Sequence, residues 1–403
     1  MTMTKLSTKN LVSPKGFKAA GLHCGLKHKK KDLAMLVSDV PASVAGVFTT
    51  NAIQAAPLGV TKKVVYETKQ MQALIVNSGN ANACTGKQGK RDAEEMQQLA
   101  AAKVGIDANL VGVFSTGVIG EIMNMPPVRE GVKQLEVKDS LESAIDFAQA
   151  ILTTDTVMKN TAYATVVDGK EVIIAGTAKG SGMIEPNMAT MLGFITTDAA
   201  ISSEVLQQTL SSLTDVTFNA ITVDGDTSTN DSVVIMANGL AGNEPLTPAH
   251  KDWDNFYKTL QVVAEDLAKM IAKDGEGATK LIEVTVESAL TDEEARKVAK
   301  TVVGSPLVKT AVFGADANWG RVIAAVGYSG ASVDPEKIGI KIGGKQLVED
   351  GEPVPFSEEE LMQILKQHEV KIDVSLGQGQ GSGLAWGCDL TYDYVQINAS
   401  YRS

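Results

Sequence analysis

The chain has 403 residues, which at about 150 per domain means two or three domains or one large α/β body. Its 37 Lys and Arg against 48 Asp and Glu leave a formal charge of −11, which argues against a general nucleic-acid binder with a basic face. Hydrophobic residues make up 44% and charged residues 21%, which excludes wholesale disorder, while 5% are aromatic and 37 are glycine. A core of Val, Ile, Leu, Ala and Met with many tight turns is expected.

The opening MTMTKLSTKNLVSPKGF lacks the apolar stretch of a secretory signal. No apolar run reaches the roughly 18 residues needed to cross a bilayer, so a cytoplasmic protein without a membrane partner is expected. The basic cluster Lys27 to Lys31 meets Asp32 at once and reads as a solvated turn. Cys24, Cys84 and Cys388 are odd in number and far apart, so they imply neither a zinc site nor a disulfide framework. They read as small buried hydrophobes, with Cys84 set apart by its polar surroundings.

In chain order, Ala73 to Val76 reads as a buried strand entering the polar loop Asn77 to Gly86, and Arg91 to Val104 as a helix. Leu141, Ala144, Ile145, Ala148, Ile151 and Leu152 keep helical spacing behind the cap candidates Asp139 and Ser140. A hairpin follows: Ala164 to Val167, a type I′ turn at Asp168-Gly169, then Glu171 to Ala175. Met191 to Ile195 should be a buried strand. Phe256, Leu260, Val263, Leu267, Met270 and Ile271 share one helical face. Ile282, Val284 and Val286 alternate as a strand, as do Val370, Ile372 and Val374, and then Leu390, Tyr392 and Tyr394. Thr291 to Glu294 and Ser357 to Glu360 are capping boxes. Helices flanking layered sheets, without an interdomain linker, are the economical arrangement.

Several motifs fail on spacing. Gly377, Gly379, Gly381 and Gly383 miss the dinucleotide fingerprint, because the sixth position is Ser382 or Leu384, and a flexible turn between strands is expected instead. Asp224, Asp226, Ser228, Asn230 and Asp231 miss the calcium-loop pattern at Thr229 and Ile235, so side chains bonding a tight loop are expected and no metal. The four histidines show no metal or triad spacing, and His250 and His368 are expected at solvated helix edges.

Lys179-Gly-Ser-Gly-Met-Ile-Glu-Pro-Asn-Met-Ala-Thr190 is punctuated by Gly and Pro, yet runs straight into an apolar stretch. A Thr hydroxyl is a poor nucleophile at neutral pH, but a free α-amino group with a pKa of about 7.7–8 can take its proton. That amine exists only once the peptide bond ahead of the Thr is cut. For an isolated Ala-Thr pair an ordinary strand start is the better account, so the residues alone leave both readings open.

KGSGMIEPNMATML resembles the processing site of the ornithine acetyltransferase family, also called the bifunctional glutamate N-acetyltransferases. NSGNANACTG (77–86), STGVIGE (115–121), TVDGDTSTND (222–231), DGEGATK (274–280), FGADANWGR (313–321) and NASYRS (398–403) are similar to that family in the same order, so the resemblance spans nearly the whole chain. It implies an α/β fold, a layered αββα sandwich. It implies self-cleavage between Ala189 and Thr190 into an α chain (1–189) and a β chain (190–403) that stay interlocked and assemble as an α2β2 heterotetramer.

Thr190 is then the nucleophile, moving acetyl from N-acetylornithine to glutamate through an acetyl-enzyme. Thr116 and Gly117 are implied as the oxyanion hole, and Thr153, Lys179, Thr190, Glu276, Asn398 and Ser403 as substrate contacts. Ser403 stands where many members have Thr, which keeps the hydroxyl. No cofactor is implied; no coenzyme A motif is present, and acetyl-CoA stays open as a second donor. Two other classes stay open as well: an amidase or aminopeptidase on a related self-cleaving scaffold, with water as acceptor, and a binding protein whose glycine loops only make turns.

Overall fold

The structure, a computed structural model, describes residues 3–8, 10–185 and 191–400. Ala189, Thr190 and Ser403 lie outside the described residues.

Nine strands form the larger sheet: β1 (Thr4–Lys5), β2 (Phe17–Leu22), β3 (Leu33–Phe48), β4 (Gln70–Asn80), β5 (Val111–Val118), β6 (Lys159–Val167), β7 (Lys170–Lys179), β8 (Leu192–Thr197) and β9 (Ser232–Ala237). Their order is β1-β6-β7-β8-β9-β3-β4-β5, with β2 beside β3. The long β3 joins two halves. Its first part, Leu33 to Val37, pairs with β4, and its last, Ser43 to Phe48, pairs with β9. The register breaks between Val37 and Ala42, around Pro41, where a missing N–H is tolerated.

The sheet therefore folds over itself into two β layers. Phe114 of β5 meets Phe194 of β8 edge-on at 5.1 Å across the interior. Leu74 and Val76 of β4 face this inner core, while Ala73 and Ile75 face outward, as strand alternation demands. On the chain go α1 (Ala56–Lys63), α2 (Gly86–Val104), α3 (Met125–Gln134), α4 (Leu141–Ala150), α5 (Ser203–Val216) and α6 (Trp253–Lys273). Helices α2 and α3 cover the outer face of β3–β5, through Met96, Ala100, Val128 and Val132. Helices α5 and α6 cover β7–β9 through Leu206, Leu210, Leu260 and Leu267. The result is a layered αββα sandwich.

A six-stranded sheet follows: β10 (Leu281–Ala289), β11 (Gly339–Ile342), β12 (Lys345–Glu349), β13 (Glu352–Pro353), β14 (Glu369–Ser375) and β15 (Gly381–Cys388). Its apolar face is buried under α7 (Asp292–Gly304), α8 (Pro306–Phe313), α9 (Trp319–Tyr328) and α10 (Glu358–Leu365). Trp386 of β15 joins the core beneath α6, which ties this layer to the sandwich.

The expected elements at 73–76, 91–104, 256–271, 282–286 and 370–374 form within longer ones, while the helix at 141–152 ends at Ala150 and the strand expected at 191–195 runs from Leu192 to Thr197. Asp168 and Gly169 have φ of 52° and 71°, as the type I′ turn requires. Thr291 and Ser357 accept from the N–H groups of Glu294 and Glu360. Only the hydroxyl half of the box at Thr291 is made, because the Glu294 carboxylate takes the Ser332 N–H.

Two expected elements are corrected. Tyr392 and Tyr394 belong to a helix, α11 (Tyr392–Ser400), not a strand. The Gly377–Gly383 stretch is a turn only in its first part. A Cβ on Gly381 or Gly383 would lie 2.3–2.4 Å from the backbone of Thr291 or Arg296, so these glycines let β15 lie directly on α7. Of the cysteines, Cys388 is buried, whereas Cys84 is exposed with φ 58°.

Candidate active site

The parallel strands β4 and β5 end together, with Ser78 opposite Thr116 and Gly79 opposite Gly117. At Gly117 φ is +133°, and a Cβ would lie 2.4 Å from the Gly79 carbonyl carbon, so only glycine fits. Asn230 fixes these ends by donating to the carbonyls of Ala81 (2.6 Å) and Ser115 (2.8 Å).

Facing them from the other β layer is the end of β7, which places Lys179 beside Leu192. Lys179 is 7% exposed and donates to Thr116 Oγ1 at 3.5 Å. It makes no ion pair among the described residues. Because an ammonium can only donate, the Thr116 hydroxyl accepts from it and keeps its own hydrogen for another partner.

Between the layers lies a cavity of about 210 Å³ whose wall includes Thr116, Gly117, Thr153, Lys179, Glu276 and Asn398. Every sequence-predicted site residue among the described ones is therefore brought to one place. Met191 and Leu192, the two residues after Thr190, line the same cavity. Among the described residues its wall carries the carboxylates of Asp224, Asp226, Asp231 and Glu276 against the cation of Lys179.

Glu276 lies just beyond α6 and is 7% exposed. Its N–H donates to Ser181 O at 3.0 Å, and its carboxylate accepts from Asn398 Nδ2 at 2.8 Å. Gly182 leaves the space that this carboxylate fills, since a Cβ there would be 2.4 Å from it. Asn398 arrives on α11, which also brings Tyr394 OH to 3.4 Å from Asp224. Asp224 accepts the N–H groups of Met183 and Ile184, both at 2.7 Å. Burial raises its pKa above the usual carboxylate value, and those N–H groups offset part of the rise. The expectation of a hydrogen-bonded loop at 224–231 holds.

Beneath the cavity, sequence reasoning missed a buried charge cluster. Lys159 of β6 is fully enclosed and reaches Asp155 at 2.7 Å and Asp274 at 2.5 Å. Thr153 N–H donates to Asp155 Oδ2 at 3.0 Å, and Gly180 N–H to Asp155 Oδ1 at 2.7 Å. Burial alone would raise Asp155's pKa, but the charges of Lys179 and Lys159 outweigh it and hold the group well below the carboxylate range. Lys159 opens β6 beside Asn160 and Thr161, so nothing in the local sequence signals its burial. Lys27, read as a solvated turn residue, is instead half-buried and donates to Leu152 O at 2.9 Å.

Asp168, His250 and Asp252 are the one grouping of metal-capable side chains among the described residues. They sit at the β6–β7 turn and bond one another, with His250 Nε2 at 3.2 Å from Asp168 and Asp168 N–H donating to Asp252 at 2.9 Å. His250 is thus a half-buried turn fastener and not the solvated residue expected.

An αββα sandwich with a small charged cavity between its β layers is the class of fold and site that the geometry defines. Sequence comparison gives the family. The ArgJ family model matches residues 18–403. The chain is 59% identical to the arginine biosynthesis bifunctional protein ArgJ of Geobacillus kaustophilus, covering 100% of this chain and 98% of that protein. It is 58% identical to the protein of that name from Halalkalibacterium halodurans, covering 99% and 97%. The crystal structure of the Bacillus halodurans protein of that name matches 53% of this chain and all of its own chain, at 63% identity and a TM-score of 0.52. The chain belongs to the ArgJ family, the ornithine acetyltransferases, acyltransferases of arginine biosynthesis. No helix among the described residues is long and apolar enough to cross a membrane.

Proposed function

We propose that the chain cuts itself between Ala189 and Thr190 and then moves acetyl from N-acetylornithine to glutamate. The observation that carries this reading is Lys179, a buried ammonium without an ion-pair partner among the described residues, aimed into the cavity beside Thr116 and Gly117. Such a cation suits the α-carboxylate that both substrates share. Glu276, with Asn398 beside it, suits the side-chain ammonium of ornithine, and Thr153 and Ser403 complete the substrate contacts.

In the first half-reaction the Thr190 hydroxyl passes its proton to its own α-amino group and its oxygen attacks the acetyl carbon. The oxyanion that forms is met by the Thr116 hydroxyl, whose hydrogen Lys179 leaves free, and by the Gly117 N–H. The carbon–nitrogen bond breaks, the proton passes to the departing α-nitrogen, and ornithine leaves an acetyl ester on Thr190. In the second half-reaction the neutral α-amine of glutamate attacks that ester. N-acetylglutamate departs and the hydroxyl is restored. The acetyl-enzyme links the two half-reactions, so the order is ping-pong. The same acetyl-enzyme is reachable from acetyl-CoA if only the acetyl end enters.

Because β8 and β9 lie between β7 and β3, the α chain (1–189) and β chain (190–403) would stay interlocked after the cut. The share of this chain matched by the whole Bacillus halodurans chain, 53%, is also the share that residues 190–403 make up. We place the enzyme in the cytoplasm as an α2β2 heterotetramer. Steady-state kinetics of Lys179→Met test the clamp: KM for both N-acetylornithine and glutamate should rise about tenfold, more than kcat falls. Unchanged KM for both substrates contradicts it.

A further inference from the structure

We infer that Asp155 is a positioning residue that holds the Lys179 ammonium ready for a substrate carboxylate without neutralising it; this rests on the clamp reading of Lys179. Asp155 is fully enclosed, and both of its oxygens are engaged. One accepts from Lys159 and from the N–H of Gly180, the residue after Lys179, both at 2.7 Å. The other accepts from the N–H of Thr153, a second cavity residue, at 3.0 Å. These donors occupy both Asp155 oxygens, the bond from Gly180 fixes the backbone next to Lys179, and the opposite charges of the two side chains attract within the protein. A direct ion pair would compete with the ligand, whereas this arrangement leaves the ammonium open to it.

Lys159 extends the device. Its second partner, Asp274, accepts Thr156 N–H at 3.1 Å through its carboxylate and Ser181 Oγ at 2.6 Å through its carbonyl. Glu276, two residues on, donates its N–H to Ser181 O. The loops bearing Thr153, Lys179 and Glu276 are thus fastened to one buried lysine.

The test compares N-acetylornithine with N-acetyl-1,4-diaminobutane, which has the same acetamide and ammonium but no carboxylate. The wild type should prefer the former, and Lys179→Met should lose that preference. Asp155→Asn should lose about tenfold of it, through KM on the carboxylate substrate, with a clearly smaller loss on the other. Asp155→Asn/Lys179→Met should discriminate no worse than Lys179→Met alone.

Equal losses on both substrates would mean a purely structural role and overturn the inference. So would full preference in Asp155→Asn when Lys179→Met has lost it. Preference kept in Lys179→Met would instead overturn the clamp reading. If Asp155→Asn does not yield folded protein, Asp155→Glu, which keeps a carboxylate for Lys159 but lengthens the side chain that holds Gly180, is held to the same criterion.

Discussion

Gly117 and Lys27 are single residues whose surroundings dictate measurable consequences. A side chain at 117 must occupy space already filled by the backbone of Gly79 and Asn80, 2.4–2.6 Å away, in a left-handed conformation. Gly117→Ala should therefore cost about 1–3 kcal/mol in unfolding free energy, read by denaturant titration, and displace the N–H assigned to the oxyanion. A stable, fully active Gly117→Ala enzyme would contradict that assignment. At Lys27, burial pushes the pKa down to about 8, reinforced by Lys30 and Lys179 and opposed by Asp32 and Asp155. Below pH 8 folded and unfolded chains both hold this proton. Between pH 8 and the ordinary lysine value of 10.5 the unfolded chain holds a proton that the folded chain has released, so stability rises with pH. Wild type should thus gain stability relative to Lys27→Met across that window, and a flat difference would contradict the buried placement.

Helix α11 is the element that sequence reading took for a strand. Leu390, Tyr392 and Tyr394 fit a period of two, and helical periodicity offered no competing signal because α11 has no buried residue. Polar contacts fix its place, from Asn398 to Glu276 and from Tyr394 to Asp224, and these leave no apolar stripe to read. Asn398→Ala should accordingly leave stability within about 0.5 kcal/mol. It should raise KM for N-acetylornithine about three- to tenfold, since the contact it loses orients Glu276. Lost stability with unchanged KM would mean that α11 supports the fold and not the site. Elements with a buried face, such as α4 behind its Ser140 cap or the alternating β10 and β14, were legible because core burial imposes their period.

Across the whole molecule, the layered class and the gathering of Thr116, Gly117, Thr153, Lys179, Glu276 and Asn398 were legible through family motifs. The charge cluster beneath them was not. Asp274 lies 115 residues from Lys159, and a charged residue in a sequence gives no sign of being enclosed with a distant partner. Nor does periodicity reveal that β3 serves both layers, which is what brings the ends of β5 and β7 face to face. The interleaving of β8 and β9 between β7 and β3 makes a cut ahead of Thr190 compatible with one folded body.

In the proposed reaction this cut creates the nucleophile. Intact mass under denaturing conditions, before and after mixing with N-acetylornithine, tests it most directly. Wild type should give residues 1–189 and 190–403 as separate species, with one acetyl group appearing only on the second, while Thr190→Ala stays a single inactive chain of 42.4 kDa. An uncut wild-type chain that transfers acetyl at full rate would contradict the account.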